Sequence, residues 1–352
     1  MEVNVFELHP GLVWGFAITV IIMLLLDLGV FNKKSHVVTS REATIWSIVW
    51  ISLAMMFSGV VYWVFNNDEG GHAMAIEKLA QFQAAYWIEK ALSVDNLFVF
   101  ILVFTYFKVP RELHHKVLFW GIIGALIFRA IFIFAGVGII NMTFLPEMEL
   151  FGMVVRVNAV LTLFGLFLIY AGIKSWGGGD DGNEEKDFSN SAGAKLVRSL
   201  YKVSDTYDKD KFFTVQNGVK VATPLLVVVS VIEFTDVLFA VDSIPAIFAI
   251  SKDPFILYTS NIFAILGLRS LYFLLSNFIH MFSKLPYGLS IILVFIGIKM
   301  NISPWYHVPS PLSLGIVGGV LLLSVILSLI FPEKKKVRVE KEKEKEKVIV
   351  SP

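Results

Sequence analysis

The stretches Glu89-Lys90-Ala91-Leu92-Ser93-Val94-Asp95-Asn96 and Asp236-Val237-Leu238-Phe239-Ala240-Val241-Asp242-Ser243 place carboxylates inside two long apolar segments of the chain. Aligned with Asp95 on Asp242, they form one motif used twice: an acid, five residues ending in Val, then Asp followed by Asn or Ser. An ionised carboxylate at the centre of a bilayer costs about 3 kcal/mol or more unless something compensates it. The two motifs therefore predict a cation site inside a membrane protein.

The composition places the chain among polytopic α-helical membrane proteins. Of its 352 residues, 56% are hydrophobic and only 17% are charged, far from the balance of a soluble domain. The formal net charge is +1, which gives no field that would attract nucleic acid. The chain has no cysteine, and its seven histidines fall in loops or at the ends of apolar segments. A site deep in the membrane must then be built from oxygen, which favours Mg²⁺, Ca²⁺ and Mn²⁺ over Zn²⁺ or Cu⁺.

Apolar segments of about 20 residues predict nine membrane-spanning helices. The first lacks a basic region before it and a small-residue cleavage site, so we expect a retained helix rather than a signal peptide. The short loops after spans one, three, five, seven and nine carry lysine and arginine, which predicts an external N-terminus and a cytoplasmic C-terminus. The predicted spans are residues 11–31, 43–65, 84–107, 117–140, 152–175, 223–250, 256–279, 286–302 and 311–331.

Spans three to five and six to eight repeat a pattern of acid motif, arginine and lysine. Leu126-Ile127-Phe128-Arg129 corresponds to Leu266-Gly267-Leu268-Arg269, and Gly172-Ile173-Lys174 corresponds to Gly297-Ile298-Lys299. A unit of three spans re-enters the membrane from the opposite side, so the prediction is an inverted 3+3 repeat with the two motif helices facing each other near the midplane. Chance repetition is the simpler alternative, and for the Gly-Ile-Lys ends alone it would suffice.

These patterns divide the chain into six regions. We expect the Gly/Asp-rich segment between the repeats to be a solvated linker rather than a calcium loop, because it lacks the spaced ligands of an EF-hand. The Lys-Glu repeats at the C-terminus have no apolar face and predict a charged cytoplasmic tail. The regions are a two-helix extension (1–65), repeat one (84–175), a cytoplasmic linker (176–222), repeat two (223–302), a final helix (311–331) and the tail (332–352).

Seven residues are predicted metal ligands: Glu89, Asp95, Asn96, Glu233, Asp236, Asp242 and Ser243. Acids six residues apart on one helix differ by about 120° in direction and roughly 9 Å in height, so they share an ion only where the helix opens. Pro245 offers a cause, since it cannot donate to the carbonyl of Val241. The alternative is that the acids merely pair with Lys90, Arg129, Arg156 and Arg269. We expect Arg129 and Arg269 to be structural counter-ions or gates.

The segments around Glu89–Asn96 and Glu233–Ala246 resemble the two signature segments of the TerC integral membrane protein family, which includes the Alx-type proteins. The resemblance covers about residues 10–331. It implies a multi-pass protein of the inner membrane associated with manganese export, with the motif carboxylates Glu89, Asp95, Glu233, Asp236 and Asp242 handling the metal. Nothing in the residues alone separates Mn²⁺ from Ca²⁺.

The predicted function is therefore export of a divalent metal, manganese by resemblance, coupled to protons because carboxylates that release a metal can take up protons. A calcium/proton exchanger and a membrane assembly factor with structural acids are the alternatives. An enzyme is not expected, because the chain has no buried histidine, cysteine or serine–lysine pair suited to hydrolysis. No bound cofactor is expected, and the partners are the lipid bilayer, the metal ion and protons. The oligomeric state stays open.

Overall fold

The computed structural model describes residues 8–31, 39–68, 71–150, 153–176, 188–216, 218–278 and 284–331. Within these ranges, the side chains of residues 27–31, 95, 98, 150, 241, 242, 277 and 278 lie outside the described part. The described residues are mostly helical. The helices are α1 (Pro10–Phe31), α2 (Ser40–Asn66), α3 (Gly71–Tyr106), α4 (Arg111–Met142), α5 (Ala159–Trp176), α6 (Ala192–Leu200), α7 (Pro224–Phe248), α8 (Pro254–Leu266), α9 (Leu268–Phe278), α10 (Leu285–Ile302) and α11 (Ser310–Ile330).

Among the described residues, six helices are long and apolar enough to cross a membrane, and seven if α8 and α9 count as one bent span. The six are α2, α4, α5, α7, α10 and α11. A helix lies at each of the nine predicted positions, but α1 offers a shorter apolar stretch, Pro10–Leu26. α3 contains Glu77, Lys78, Glu89, Lys90 and Asp95, and these charges lower its apolar character. The membrane-protein class is thus confirmed, whereas the count of nine spans is not.

Two predicted boundaries were wrong. α3 begins at Gly71, 13 residues before the predicted start at residue 84, because 71–83 continues the helix with polar residues such as Glu77 and Gln81. The predicted fifth span, 152–175, begins instead at Ala159. The residues before it form an antiparallel hairpin of β1 (Met148–Leu150) and β2 (Met153–Val155), and Asn158 caps the helix by accepting a hydrogen bond from Leu161 N at 2.9 Å.

The predicted seventh span, residues 256–279, is a helix broken at Gly267. α8 and α9 meet there at an angle of 41°. α8 begins sharply because the Asp253 carboxylate accepts hydrogen bonds from Phe255 N and Ile256 N, and Pro254 occupies the first turn. Pro245, by contrast, lies inside α7 without ending it. α7 thus continues past Asp242, and the free Val241 carbonyl expected beside Pro245 stays a prediction.

The helices of the two predicted repeats pack in a reciprocal pattern. α3 contacts α8 and α7 contacts α4, while α3 also contacts α7, and α5 contacts α10 most extensively. A Cβ on Gly297 of α10 would lie 2.5 Å from Gly165 O, and one on Gly172 of α5 would lie 2.8 Å from Ser290 O. In the alignment of the repeats Gly172 corresponds to Gly297 and Gly165 to Ser290, so each close approach is the counterpart of the other. This reciprocity is the property of a contact across a two-fold axis.

The segment between the predicted repeats carries structure that the sequence analysis did not assign. Residues 177–187, with the Gly/Asp run, lie outside the described residues. Beyond them come α6 and an antiparallel hairpin of β3 (Phe213–Gln216) and β4 (Val219–Ala222). α6 is capped by Ser191, which accepts a hydrogen bond from Ala194 N, and it packs against α7 so closely that Ser230 Oγ donates to Gly193 O at 3.0 Å. This segment therefore rests on the second repeat instead of spanning freely between the two.

Candidate ion site in the bundle core

Arg129 joins the two acid motifs at the centre of the bundle. It lies on α4, is 1% exposed, and donates from Nη1 to Glu89 Oε1 of α3. Its Nη2 lies 3.3 Å from Asp236 Oδ1 of α7. Both carboxylates are enclosed, Glu89 completely and Asp236 to all but 4% of its surface. The structure therefore brings together the first acid of each motif, through one guanidinium.

Several buried oxygens on the two motif helices, α3 and α7, have no hydrogen-bond partner. Among the described residues, Glu89 Oε2, Asp236 Oδ2 and Glu233 Oε2 are carboxylate oxygens of this kind, and Ser93 Oγ and Ser243 Oγ are hydroxyl oxygens. A buried polar atom left unpaired costs about 1–3 kcal/mol, and more when it is charged. Such atoms on the two motif helices are what a site for a cation, a proton or an ordered water requires.

Glu233 differs from Glu89 and Asp236 because no described cation contacts it. It is partly buried on α7, one turn before Asp236. Its carboxylate lies against Gly124 of α4, and a Cβ at that glycine would overlap it. On the same helix, a Cβ at Gly138 would meet nothing within 4 Å. The absence of a side chain at Gly124 therefore makes the room that the Glu233 carboxylate occupies.

Neutral oxygen donors and one further cation surround the acids. Asn96 and Ser243 are buried beside the predicted central aspartates. Asn261 of α8 is fully buried and lies 3.4 Å from Arg129 Nη1. Lys90, next to Glu89, is 7% exposed and donates to Ala264 O at 3.2 Å. The cluster thus combines amide and hydroxyl oxygens with two basic side chains, Arg129 and Lys90. Each of these side chains donates a hydrogen bond within the cluster.

The predicted ligands Asp95 and Asp242 lie on α3 and α7, but their side chains lie outside the described part of the structure. Within the described part, no group of three or more His, Asp or Glu side chains could hold a metal ion. The ligand set predicted from the sequence therefore stays a prediction. Its remaining members divide between the pair at Arg129, namely Glu89 and Asp236, and three residues with an unpaired or neutral oxygen, namely Glu233, Asn96 and Ser243.

Of the four bases considered as counter-ions, Arg156 lies away from the cluster. It is exposed and its guanidinium lies 5.0 Å from the centre of the Phe144 ring, at the end of the bundle near the β1–β2 hairpin. Arg269 is 1% exposed on α9. It lines, with Asp236, a small cavity of about 10 Å³ between α4 and α9. That volume holds about one water molecule.

Arg269 also lines a second, larger cavity of about 690 Å³, which we call the Arg269 cavity. This cavity lies between the start of α4 and residues 207–210, and it includes Glu112, Lys116 and Asp210. Because Arg269 lines both spaces, it separates the larger cavity from Asp236. A route from this end of the bundle to the buried acids would pass the Arg269 guanidinium.

The outer wall of the Arg269 cavity is held by the segment that follows α6. Lys116 Nζ contacts Asp210 through the carboxylate at 3.0 Å and through the Asp210 carbonyl, and it lies over the Phe212 ring. The hydrogen bond from Lys116 holds the pKa of Asp210 below its usual range. Tyr207 donates to Phe107 O at 2.8 Å, and burial raises its pKa to about 12. These contacts fix residues 207–212 against the start of α4.

Sequence reasoning missed two residues of the cluster, Asn261 and Gly124. Asn261 had a signal, because it is a carboxamide within an apolar run, and polar groups at membrane depth are costly unless they have a partner. No sequence signal pointed to Gly124, which is one of many small residues in the spans. Its missing side chain matters only because the Glu233 carboxylate lies against it.

Comparison with known proteins gives consistent results over most of the chain. The profile of the integral membrane protein TerC family matches residues 74–336. The chain is 45% identical over 321 residues to "Uncharacterized membrane protein STKORF319" of Myxococcus xanthus, covering 91% of this chain and 92% of that protein. It is 42% identical over 319 residues to "Putative membrane-bound redox modulator Alx" of Escherichia coli (strain K12), covering 90% of this chain and 94% of that protein. No solved structure matches the chain significantly.

Proposed function

The chain belongs to the integral membrane protein TerC family, and from that premise we propose that it is a transporter that exports a divalent metal, manganese in the first instance, through the acidic cluster around Arg129. The family resemblance supplies the metal and the direction of transport. The chain supplies the oxygen donors, since it has no cysteine. Hard and borderline divalent cations are the ions that such donors prefer.

The balance of charge in the motif helices carries this proposal. Away from the ends of the spans, α3 and α7 carry five acids, while α3, α4 and α9 carry three bases; Arg156, which could have been a fourth, lies outside the cluster. Two negative charges are left over, and one divalent cation or two protons would neutralise them. The acids are Glu89, Asp95, Glu233, Asp236 and Asp242, and the bases are Lys90, Arg129 and Arg269.

In this proposal the ion is held chiefly on the α7 side of the cluster. Glu89 and Asp236 share Arg129, which repels a cation from the space between them. Glu233 has no described cation beside it, and its Oε2 atom has no hydrogen-bond partner. We propose Glu233, Asp242 and the spare oxygen of Asp236 as the principal ligands, completed by Asp95, Glu89 and the neutral oxygens of Asn96 and Ser243.

The transport cycle is proposed to exchange metal for protons by alternating access. The reciprocal packing of α3–α5 with α7–α10 supports an inverted repeat with a total of nine spans, and the Arg269 cavity supports entry at the end where basic loops predict the cytoplasm. The acids that release the metal would take up the incoming protons. The protein would lie in the inner membrane, with its N-terminus outside.

A membrane assembly factor with structural acids is the second candidate, and the double contact of Arg129 with Glu89 and Asp236 favours it. In that case the acids would stabilise the bundle without binding metal. The relatives named as redox modulators raise a third hypothesis. With no cysteine in this chain, its own residues offer no thiol chemistry for such a role.

Metal flux in proteoliposomes tests the proposal. We expect Mn²⁺ movement that depends on a pH gradient, and a loss of more than about tenfold in the variants Asp242→Asn and Glu233→Gln, as for other changes at metal sites. Ca²⁺ in place of Mn²⁺ tests the exchanger alternative. The matched control is Asp205→Asn, because Asp205 is exposed outside the spans. Folded wild-type protein without metal flux would contradict the transporter and favour the assembly factor.

A further inference from the structure

The short helix α6 lies against the side of α7 and not beyond its end. Ser230 Oγ donates to Gly193 O at 3.0 Å, and a Cβ at Gly193 would overlap the Ser230 carbonyl. Ser230 lies six residues beyond Pro224, the first residue of α7, which is about 9 Å along the helix axis. With its 25 residues α7 is about 38 Å long, whereas the hydrocarbon core of a bilayer is about 30 Å thick. The part of α7 that α6 contacts is therefore at the depth of the membrane interface.

The apolar side of α6 is wider than the part that α7 covers. Gly193, Ala194 and Val197 are buried where α6 packs against α7. Leu196 and Leu200 lie one turn apart and are 44% and 64% exposed. At about 100° per residue, they lie about 60° and 20° from Gly193 around the helix. The two leucines thus extend the buried stripe onto the exposed side of α6.

The exposed apolar surface continues from α6 onto one face of the β3–β4 hairpin. The ring of Tyr201, which follows α6, lies 5.1 Å from the ring of Phe213 in β3. Val215 lies on the same face of the hairpin as Phe213, and Lys220 is opposite Val215 in the register. We call the following side chains the α6 surface: the apolar Leu196, Leu200, Tyr201 and Val215, and the basic Lys195, Lys202 and Lys220.

The α6 surface lies in a segment with excess positive charge. Residues 188–222 carry six basic residues and three acidic ones. Two of the acids are paired, Asp208 with Lys211 and Asp210 with Lys116. No acid among the described residues pairs with the three lysines of the α6 surface. Apolar side chains surrounded by lysines are typical of helices that lie in the membrane interface, where the lysines attract anionic headgroups.

We propose that α6 is an interfacial helix, which inserts Leu196 and Leu200 into the lipid leaflet at this end of the bundle and binds anionic headgroups through the lysines of the α6 surface. The acidic run at residues 180–187 has charges that could pair with these lysines, but it has no apolar side chain to cover the leucines. A second copy of this chain, docked through the same surface, would bring like charges together. The proposal does not depend on metal transport.

Spin labels test the depth of α6 in the membrane, since the chain has no cysteine that would react with a label. The full-length variant Leu200→Cys carries a nitroxide in vesicles made of equal parts of phosphatidylcholine and phosphatidylglycerol. Electron paramagnetic resonance measures its collisions with oxygen, which concentrates in lipid, and with a nickel chelate, which stays in water. Asp205→Cys, at an exposed acid, is the control for water, and Leu323→Cys, at an exposed leucine of α11, is the control for lipid.

We expect the ratio of oxygen to nickel collisions at position 200 to be several-fold above the ratio at position 205, and closer to that at position 323. A ratio like that at position 205 would place Leu200 in water and overturn the proposal. Few collisions with either reagent would place it under protein, such as a second copy, and would also overturn the proposal. Leu196→Cys repeats the measurement if Leu200→Cys does not fold.

The same label tests the lysines. In vesicles of phosphatidylcholine alone, we expect a lower ratio at position 200 than in vesicles with phosphatidylglycerol. Adding Lys195→Gln/Lys202→Gln should remove this dependence on phosphatidylglycerol. The matched control Arg41→Gln/Lys174→Gln makes the same change of charge at exposed bases outside the α6 surface and should keep it. No dependence in the unmodified surface, or equal dependence in the two double variants, would overturn the assignment of headgroup binding to these lysines. Metal flux can fail or succeed independently of these results.

Discussion

The two acid motifs occupy equivalent positions in the chain but have different surroundings. In the first, Glu89 is fully buried and contacts Arg129 on the next helix. In the second, Asp236 lies 3.3 Å from the same arginine, and Glu233, whose counterpart in the first motif is Tyr86, has no described cation beside it. Arg129, which belongs to the first repeat, therefore contacts one acid of each motif. Among the described side chains, a duplicated scaffold therefore carries an asymmetric set of acids: each motif has one acid paired with Arg129, and only the second has a further acid, Glu233, that no described cation contacts.

The asymmetry explains how one cluster could stabilise the bundle and still bind an ion. A buried ion pair contributes little net stability relative to an apolar pair, but loss of one partner leaves an uncompensated charge. Arg129 satisfies one oxygen on each of two acids, which leaves Glu89 Oε2 and Asp236 Oδ2 for another ligand. Variants of Arg129 and of Glu233 separate the two roles, and the loss of Arg129 is expected to have the largest effect on stability.

Replacement of Arg129 by Gln should cause the largest loss of stability. The change leaves Glu89 and Asp236 buried without their shared cation, which is expected to cost about 3–5 kcal/mol. Unfolding in detergent, followed by temperature or denaturant, measures the loss. The control Arg156→Gln, at an exposed arginine, should change stability by less than about 0.5 kcal/mol.

If Arg129→Gln gives too little folded protein to measure, Arg129→Gln/Glu89→Gln provides the second measurement. Removing the acid as well as the base should restore part of the lost stability, because one buried charge fewer is left unpaired. Stability of Arg129→Gln close to that of Arg156→Gln would contradict the structural role of the first motif.

Much of this architecture could be predicted from the sequence, because apolar runs of about 20 residues specify helices in a membrane. The positions of α2, α4, α7, α10 and α11 follow from such runs. The early start of α3 could not be predicted from apolar runs, because the helical residues around Glu77 are polar and have the hydropathy of a loop. α6 and the β3–β4 hairpin were missed for the same reason, since their apolar contacts depend on α7.

The acids of the site could also be predicted, but their partners could not. A carboxylate within an apolar span marks a buried polar site whatever the fold. Which base it meets depends on helix rotation and packing: Arg129 reaches both Glu89 and Asp236, while Arg156, equally charged and inside a predicted span, lies over Phe144. The space that Gly124 leaves for Glu233 likewise exists only in three dimensions.

The second prediction tests whether the two repeats are related by symmetry where α5 meets α10. Gly297→Ala and Gly172→Ala each place a methyl group against a backbone carbonyl of the other helix, so each should cost about 1–3 kcal/mol by overpacking. The control Gly318→Ala, in α11, meets nothing within 4 Å and should gain up to about 1 kcal/mol from helix propensity. Unfolding of the three variants measures these effects. A large cost at one glycine with none at its counterpart would break the reciprocal relation.

The smallest effect on stability is expected at Glu233. Glu233→Gln keeps the shape of the side chain, loses no described ion pair, and removes a charge that repels Asp236, so its stability should change by less than about 1 kcal/mol. Glu89→Gln removes the charge opposite Arg129 and should cost about 1.5–3 kcal/mol, the value of a hydrogen bond to a charged group. Unfolding without metal compares the two variants directly.

Stabilisation by added Mn²⁺ is expected to rank the two variants in the opposite order: Glu233→Gln should lose more of it than Glu89→Gln. A metal that binds only the folded state raises its stability in proportion to the logarithm of the metal concentration. Because no described cation contacts Glu233 and its Oε2 atom has no hydrogen-bond partner, Glu233→Gln should abolish most of this stabilisation despite its mild effect on folding. Glu89→Gln should keep more of it, since Glu89 already has Arg129 as its partner. The reverse order would show that the paired side of the cluster holds the ion, and the division of roles between the two motifs would then have to be exchanged.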